Sequence, residues 1–231
     1  MWEPQAAGLG QYFDVITPDM RGYGESELPA EAWSPTADVL ALMEALGLRE
    51  APHVVGCSIG GIAAVDFAIE HPRRVSKLVL VSAGIGGQPC DDKYDHLYAE
   101  VTAAEESKDL DTVNEAEMKL WLVGMGRAVS HVDKRLRELF LDMNGRALRS
   151  DFRSAPKKGL DPPAFGRLRE IKAPTLVVVG DQDLPETHDT ADLLVSKIRG
   201  ARKAIIHDAA HLPNLEHPEK FNRLLLDFLN G

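Results

Sequence analysis

The sequence predicts an α/β fold, a mostly parallel, doubly wound sheet interrupted by one helical insertion. Three observations carry that prediction. Runs rich in β-branched residues recur along the chain, and four of the five are nearly continuous in apolar character, as strands buried on both faces require. Helical patterns lie between those runs, giving the strand–helix alternation of a doubly wound sheet. Residues 85–163 break the alternation and carry helical periodicity alone.

In chain order, strands are predicted over residues 12–17, 53–55, 77–82, 175–179 and 203–206. Helices are predicted over 35–46, 59–70, 186–198 and 218–229. Gly47 stops the first helix and Pro72 ends the second, each by backbone chemistry that a helix cannot continue through. Within the insertion, helices are expected around 94–104, 112–123 and 132–143. The chain thus divides into a core, 1–84 with 164–231, and a helical insertion, 85–163. The insertion's first part is acidic, with Asp91, Asp92, Asp95, Glu100, Glu105, Glu106, Asp109 and Asp111. Its second part is basic, with Arg127, Lys134, Arg135, Arg137, Arg146 and Arg149, and both sets read as solvated helix faces.

A formal charge of −10 over 231 residues disfavours attraction to nucleic acid or to an anionic membrane surface. No stretch approaches the ~20 consecutive apolar residues that cross a bilayer. The two cysteines, Cys57 and Cys90, give neither a disulfide framework nor a metal-ligand spacing. A reducing cytoplasm, no metal and a small-molecule partner are therefore expected.

The chemistry centres on Gly56-Cys57-Ser58-Ile59-Gly60-Gly61, where a strand meets a helix. A serine hydroxyl is a poor nucleophile until a base takes its proton, and a sharp strand-to-helix turn exposes it to such a base. Glycines two residues before and two after Ser58 are expected to avoid clashes in that turn. The base and its orienting acid should lie in loops at the carboxyl ends of parallel strands. One such loop, Gly180-Asp181-Gln182-Asp183, offers two carboxylates. Asp183 has the greater reach, while Asp181 is placed to accept backbone hydrogen bonds. The other loop holds His207 at the strand end and His211 in the loop proper, and His211 is the predicted base. The order Ser58, Asp183, His211 is that of α/β-hydrolases.

The chain resembles the α/β-hydrolase superfamily over essentially its whole length. The resemblance rests on Asp19-Met20-Arg21-Gly22-Tyr23-Gly24-Glu25-Ser26, on the serine elbow, on Gly180 to Asp183, and on Ala210-His211-Leu212-Pro213-Asn214. It implies that Ser58 is the nucleophile, His211 the base and Asp183 the orienting acid, with no cofactor, and that the insertion is a cap shaping the substrate pocket. Trp121, Leu122 and Met125 are the cap residues expected to line that pocket. The backbone N–H of Ile59 would donate to the oxyanion. The second donor of the family comes from a His-Gly loop and early strands that precede the segment matched by Met1-Trp2-Glu3-Pro4-Gln5. Met1 is therefore expected to be an internal methionine of a longer protein. Without the intervening strand, the runs at 12–17 and 53–55 must pair directly, recruit another chain, which keeps a homo-oligomer open, or leave the protein poorly stable.

The resemblance is nearest to 3-oxoadipate enol-lactonase-like hydrolases and implies cleavage of a small carboxylic ester or lactone through an acyl-enzyme. Carbon–carbon bond hydrolysis, cofactor-free haloperoxidase-like chemistry and a noncatalytic fragment stay open as alternatives. Haloalkane dehalogenase and epoxide hydrolase chemistry are disfavoured, since those resemblances require Asp where Ser58 stands.

Overall fold

The computed structural model describes residues 1–150 and 157–231. Four strands form one parallel sheet in sequence order: β1 (Val54–Cys57), β2 (Leu78–Val81), β3 (Thr175–Gly180) and β4 (Arg202–Ile206). Their register sets Val54 beside Leu78, Leu78 beside Thr175 and Leu176 beside Arg202. All carboxyl ends therefore lie at one edge, where the loops bearing Ser58, Asp183 and His211 gather.

Strand periodicity divides the core into two. Leu78 and Leu80 of β2 with Val177 and Val179 of β3 face α2 (Pro35–Ala45), α3 (Ile59–Glu70) and α7 (Pro185–Lys197). Val79, Val81, Leu176 and Val178 face Leu9 of α1 (Glu3–Leu9) and Phe221, Leu225 and Phe228 of α9 (Pro218–Asn230). Each large side chain removed from water on these faces stabilises the fold by roughly 1.5–3 kcal/mol, so burial on both sides of the sheet explains its continuous apolar runs. The helices follow from local chemistry as well. The Ser34 hydroxyl accepts from the Ala37 N–H to cap α2, Pro35 opens that helix, and Gly47 at φ +67° follows it.

The helical insertion forms between β2 and β3. A 3₁₀ segment, Asp92–Tyr98, leads into α4 (Ala99–Ser107), α5 (Leu110–Glu117), a π-helical turn (Met118–Val123) and α6 (Lys134–Arg149). The short helix α8 (Pro213–Glu216) completes the set on the far side of the His211 loop.

The segment 12–17 departs from expectation. It is not a strand. The Tyr12 and Phe13 N–H groups donate to the Leu9 carbonyl in a turn, and Tyr12 and Ile16 are 57% and 45% exposed. A β-rich run becomes a strand only where a neighbouring ladder accepts its backbone groups, and among the described residues nothing pairs with the outer edge of β1. Phe13 packs against the apolar cluster on one face of the sheet, its ring centroid 5.8 Å from that of His53.

Candidate active site

Ser58 stands between β1 and α3 at φ +51° and ψ −116°, a conformation L-residues rarely adopt. Its N–H donates to the Val81 carbonyl at 2.9 Å and its carbonyl accepts from the Ile62 N–H, so the sheet and the helix hold the strained residue from both sides. The glycines divide differently from expectation. A Cβ on Gly56 would collide with the Gly60 carbonyl oxygen, and one on Gly61 with the Ala83 side chain, whereas one on Gly60 would meet nothing within 4 Å. The steric demand falls two residues before Ser58 and three after it.

The acid and base loops meet. His211 Nδ1 lies 3.0 Å from each oxygen of Asp183, and Oδ1 also accepts the Leu184 N–H at 2.8 Å. Both residues are buried. Burial pushes the Asp183 carboxyl up. The His211 ring, the nearby Ser82 hydroxyl and the Leu184 N–H more than offset it and hold the carboxyl below the usual range. The Ser82 hydroxyl acts through proximity, since its geometry falls short of a hydrogen bond. On the opposite side of the ring, His211 Nε2 is buried and has no hydrogen-bond partner among the described residues. The His211 carbonyl lies 3.9 Å from Cys57 Sγ, which places this loop against the residue preceding Ser58. Burial and the Asp183 charge push the Cys57 thiol up, so it packs as a neutral group.

The remaining loop groups are engaged elsewhere. Asp181 accepts the Asp208 N–H at 2.7 Å and lies 3.0 Å from His207 Nδ1. The Asp19 to Ser26 turn closes on itself: the Glu25 N–H donates to Asp19 Oδ2, and the Ser26 hydroxyl to the Asp19 carbonyl.

Of the expected pocket residues, Trp121 lies against the site. Its ring centroid is 4.6 Å from that of His211, and its carbonyl accepts the His211 N–H at 3.1 Å. Leu122 is wholly buried in the apolar cluster, while Met125 is 39% exposed and donates its N–H to the Gln182 carbonyl. Beyond Trp121 stands Tyr98, with ring centroids 6.0 Å apart; its hydroxyl donates to Glu186 Oε2 at 2.7 Å. Tyr98 lines a cavity of about 660 Å³ together with Cys90, Tyr94, Thr102, Glu106 and Glu186. Among the described residues no group of three or more His, Cys, Asp or Glu could hold a metal ion, and no helix is long and apolar enough to cross a membrane.

Sequence reasoning missed Ser82, Tyr98 and Glu216, and it placed Arg127 on a solvated face. The Arg127 side chain is 8% exposed and paired with Glu216. No local pattern marks these residues, because their partners lie far away in the chain.

The profile described as the alpha/beta hydrolase family matches residues 1–224. The chain belongs to the α/β-hydrolase family. A 2-hydroxy-6-oxononadienedioate/2-hydroxy-6-oxononatrienedioate hydrolase of Burkholderia vietnamiensis is 32% identical to this hydrolase, over 94% of the chain and 76% of the relative. Among solved structures, the enol-lactonase from Burkholderia xenovorans has a TM-score of 0.75 and 26% identity, covering 100% of this chain and 86% of that one. An N-acyl homoserine lactone degrading enzyme has a TM-score of 0.77 and 28% identity, covering 98% and 87%. The parallel sheet with flanking helices is the fold these α/β-hydrolases share.

Proposed function

We propose that this α/β-hydrolase is a serine hydrolase that cleaves a small carboxylic ester or lactone, with residues 85–163 as the cap over its site. The observation that carries the proposal is the buried His211–Asp183 pair, whose Nε2 has no partner among the described residues and whose loop lies against Cys57, the residue before the strained Ser58. With Nδ1–H donated to Asp183, Nε2 presents a lone pair. It takes the Ser58 hydroxyl proton as Oγ attacks the carbonyl carbon, and the C=O electron pair moves onto oxygen. The Ile59 N–H, first in α3, donates to that oxyanion, aided by the helix N-terminus. Collapse breaks the bond to the leaving alkoxide, which takes the proton from His211. Water then repeats the sequence on the acyl-enzyme and releases the acid.

Ser58→Ala should abolish turnover of a short p-nitrophenyl ester, and a fluorophosphonate should label the unaltered protein at Ser58. Retained turnover in the purified variant, or no labelling of folded protein, overturns the reading.

The curated relative named above favours a second reading, in which the attacked carbonyl is a ketone and the bond broken is carbon–carbon. The same pair would then protonate a carbanion rather than an alkoxide. Product analysis on ester, lactone and 1,5-diketone substrates separates the two.

A further inference from the structure

We infer that Arg127 and Glu216 are positioning residues for His211, clasping the cap to the loop that carries the base; this rests on the serine-hydrolase reading. Arg127 follows the π-helical turn of the cap. Its Nε donates to the Val123 carbonyl at 2.9 Å and Nη2 to the Leu122 carbonyl at 2.8 Å, fixing the guanidinium to the cap backbone. Its other contacts reach the base loop. Nη1 donates to the Asp208 carbonyl at 2.8 Å, and Nη2 lies 2.6 Å from Glu216 Oε2. Glu216 Oε1 in turn accepts the Ala210 N–H at 2.7 Å. The residues three before and one before His211 are thereby held by a single ion pair. The N–H of His211 itself is held by the Trp121 carbonyl, and the Met125 N–H binds the Gln182 carbonyl beside Asp183.

The pair's burial argues against a role in stability alone. The two side chains are 8% and 4% exposed, and moving both charges out of water costs several kcal/mol per ion before their attraction returns it. An apolar pair of similar volume would stabilise as well. What an apolar pair cannot do is donate to three carbonyls and accept one N–H in a fixed geometry. A lysine could not replace the arginine, since a single ammonium has no planar fork to span the Val123, Leu122 and Asp208 oxygens together. Asp208 sits at φ +63°, and its carbonyl is shared between Arg127 Nη1 and His217 Nε2, 3.0 Å away.

The test compares Arg127→Ala, Arg127→Lys and Glu216→Gln with the unaltered chain, checking each variant's fold by circular dichroism. Displacing a reacting group by about 1 Å can cost on the order of 100-fold in rate. The expected result is a kcat on p-nitrophenyl acetate lowered by roughly 10- to 100-fold with KM nearly unchanged, and equally slowed phosphonylation of Ser58 by a fluorophosphonate. Arg127→Lys should not rescue. The low-field ¹H resonance expected of the His211 Nδ1–H in the unaltered chain should broaden or move in all three variants. Folded variants with unaltered kcat, phosphonylation rate and resonance overturn the inference, as does a loss confined to KM. If Arg127→Ala does not fold, Glu216→Gln, which is isosteric, and Arg127→Lys, which keeps the charge, decide it. If the unaltered chain neither turns over nor labels, the serine-hydrolase reading fails, and the resonance still reports whether the clasp positions the ring.

Discussion

His211 and Asp183 form a buried pair in which one ring nitrogen serves both carboxylate oxygens at 3.0 Å while the other has no partner among the described residues. The ring is confined by Trp121, tilted against it with centroids 4.6 Å apart, and the His211 N–H is pinned to the Trp121 carbonyl. The carboxylate can only hold the tautomer that leaves Nε2 free.

Asp183→Asn removes that tautomer control. One amide position would present N–H groups to Nδ1, which must then become the acceptor and turn Nε2 into a donor. Loss of tautomer control in a serine–histidine–carboxylate triad costs about 10⁴-fold in kcat. The expected outcome is that loss with an unchanged circular dichroism spectrum, measured on the p-nitrophenyl ester. A kcat within tenfold of the unaltered chain would remove Asp183 from the mechanism.

Asp66 predicts a pH dependence of stability. It lies on α3 facing a cavity of about 310 Å³, is 7% exposed, and has one oxygen without a partner among the described residues. Burial, partly offset by the Leu160 backbone and the Lys157 and Arg167 charges, raises its pKa to about 6. A carboxyl whose folded pKa lies above its unfolded value contributes stability that is full below the unfolded value, near 3.8, and is lost as pH rises through about 6. Urea midpoints of the unaltered chain should therefore fall between about pH 4 and pH 6 relative to Asp66→Asn. Parallel curves for the two proteins would show that Asp66 ionises freely.

The parts of this site legible in the sequence are those fixed by local backbone chemistry. Ser58 could be found because a tight strand-to-helix turn restricts its neighbours, and Asp183 could be preferred to Asp181 by its distance from the strand end. Asp181 does bond the neighbouring loop backbone. Contacts that depend on distant partners were not legible. Arg127 and Glu216 are separated by 89 positions, and nothing in the periodicity around either points to the other. The run at 12–17 shows the converse, since its composition favours a strand and only the absence of a ladder neighbour among the described residues decides against one.

The two elbow glycines should respond oppositely to alanine. At Gly56 an added Cβ meets backbone, which cannot yield as a flexible side chain does; such overpacking costs about 1–3 kcal/mol or more. At Gly60, the second residue of α3 and with open space, alanine gains up to roughly 1 kcal/mol of helix propensity. Thermal melts should show Gly56→Ala several degrees below the unaltered chain and Gly60→Ala a few degrees above it. Equal shifts would mean that the turn relaxes around either methyl group.

Ser58 itself should show the cost of its conformation. At φ +51° a side chain is strained by about 1–3 kcal/mol, and alanine inherits that strain while glycine does not. Elsewhere in a folded chain, glycine loses to alanine by up to ~1 kcal/mol through its unfolded-state entropy. Here the order should invert. Ser58→Gly should be more stable than Ser58→Ala by about 1 kcal/mol, read as a higher urea midpoint at constant m-value, with both variants inactive. If Ser58→Ala is the more stable, the elbow is relaxed rather than strained. If Ser58→Gly still turns over ester, the nucleophile lies elsewhere.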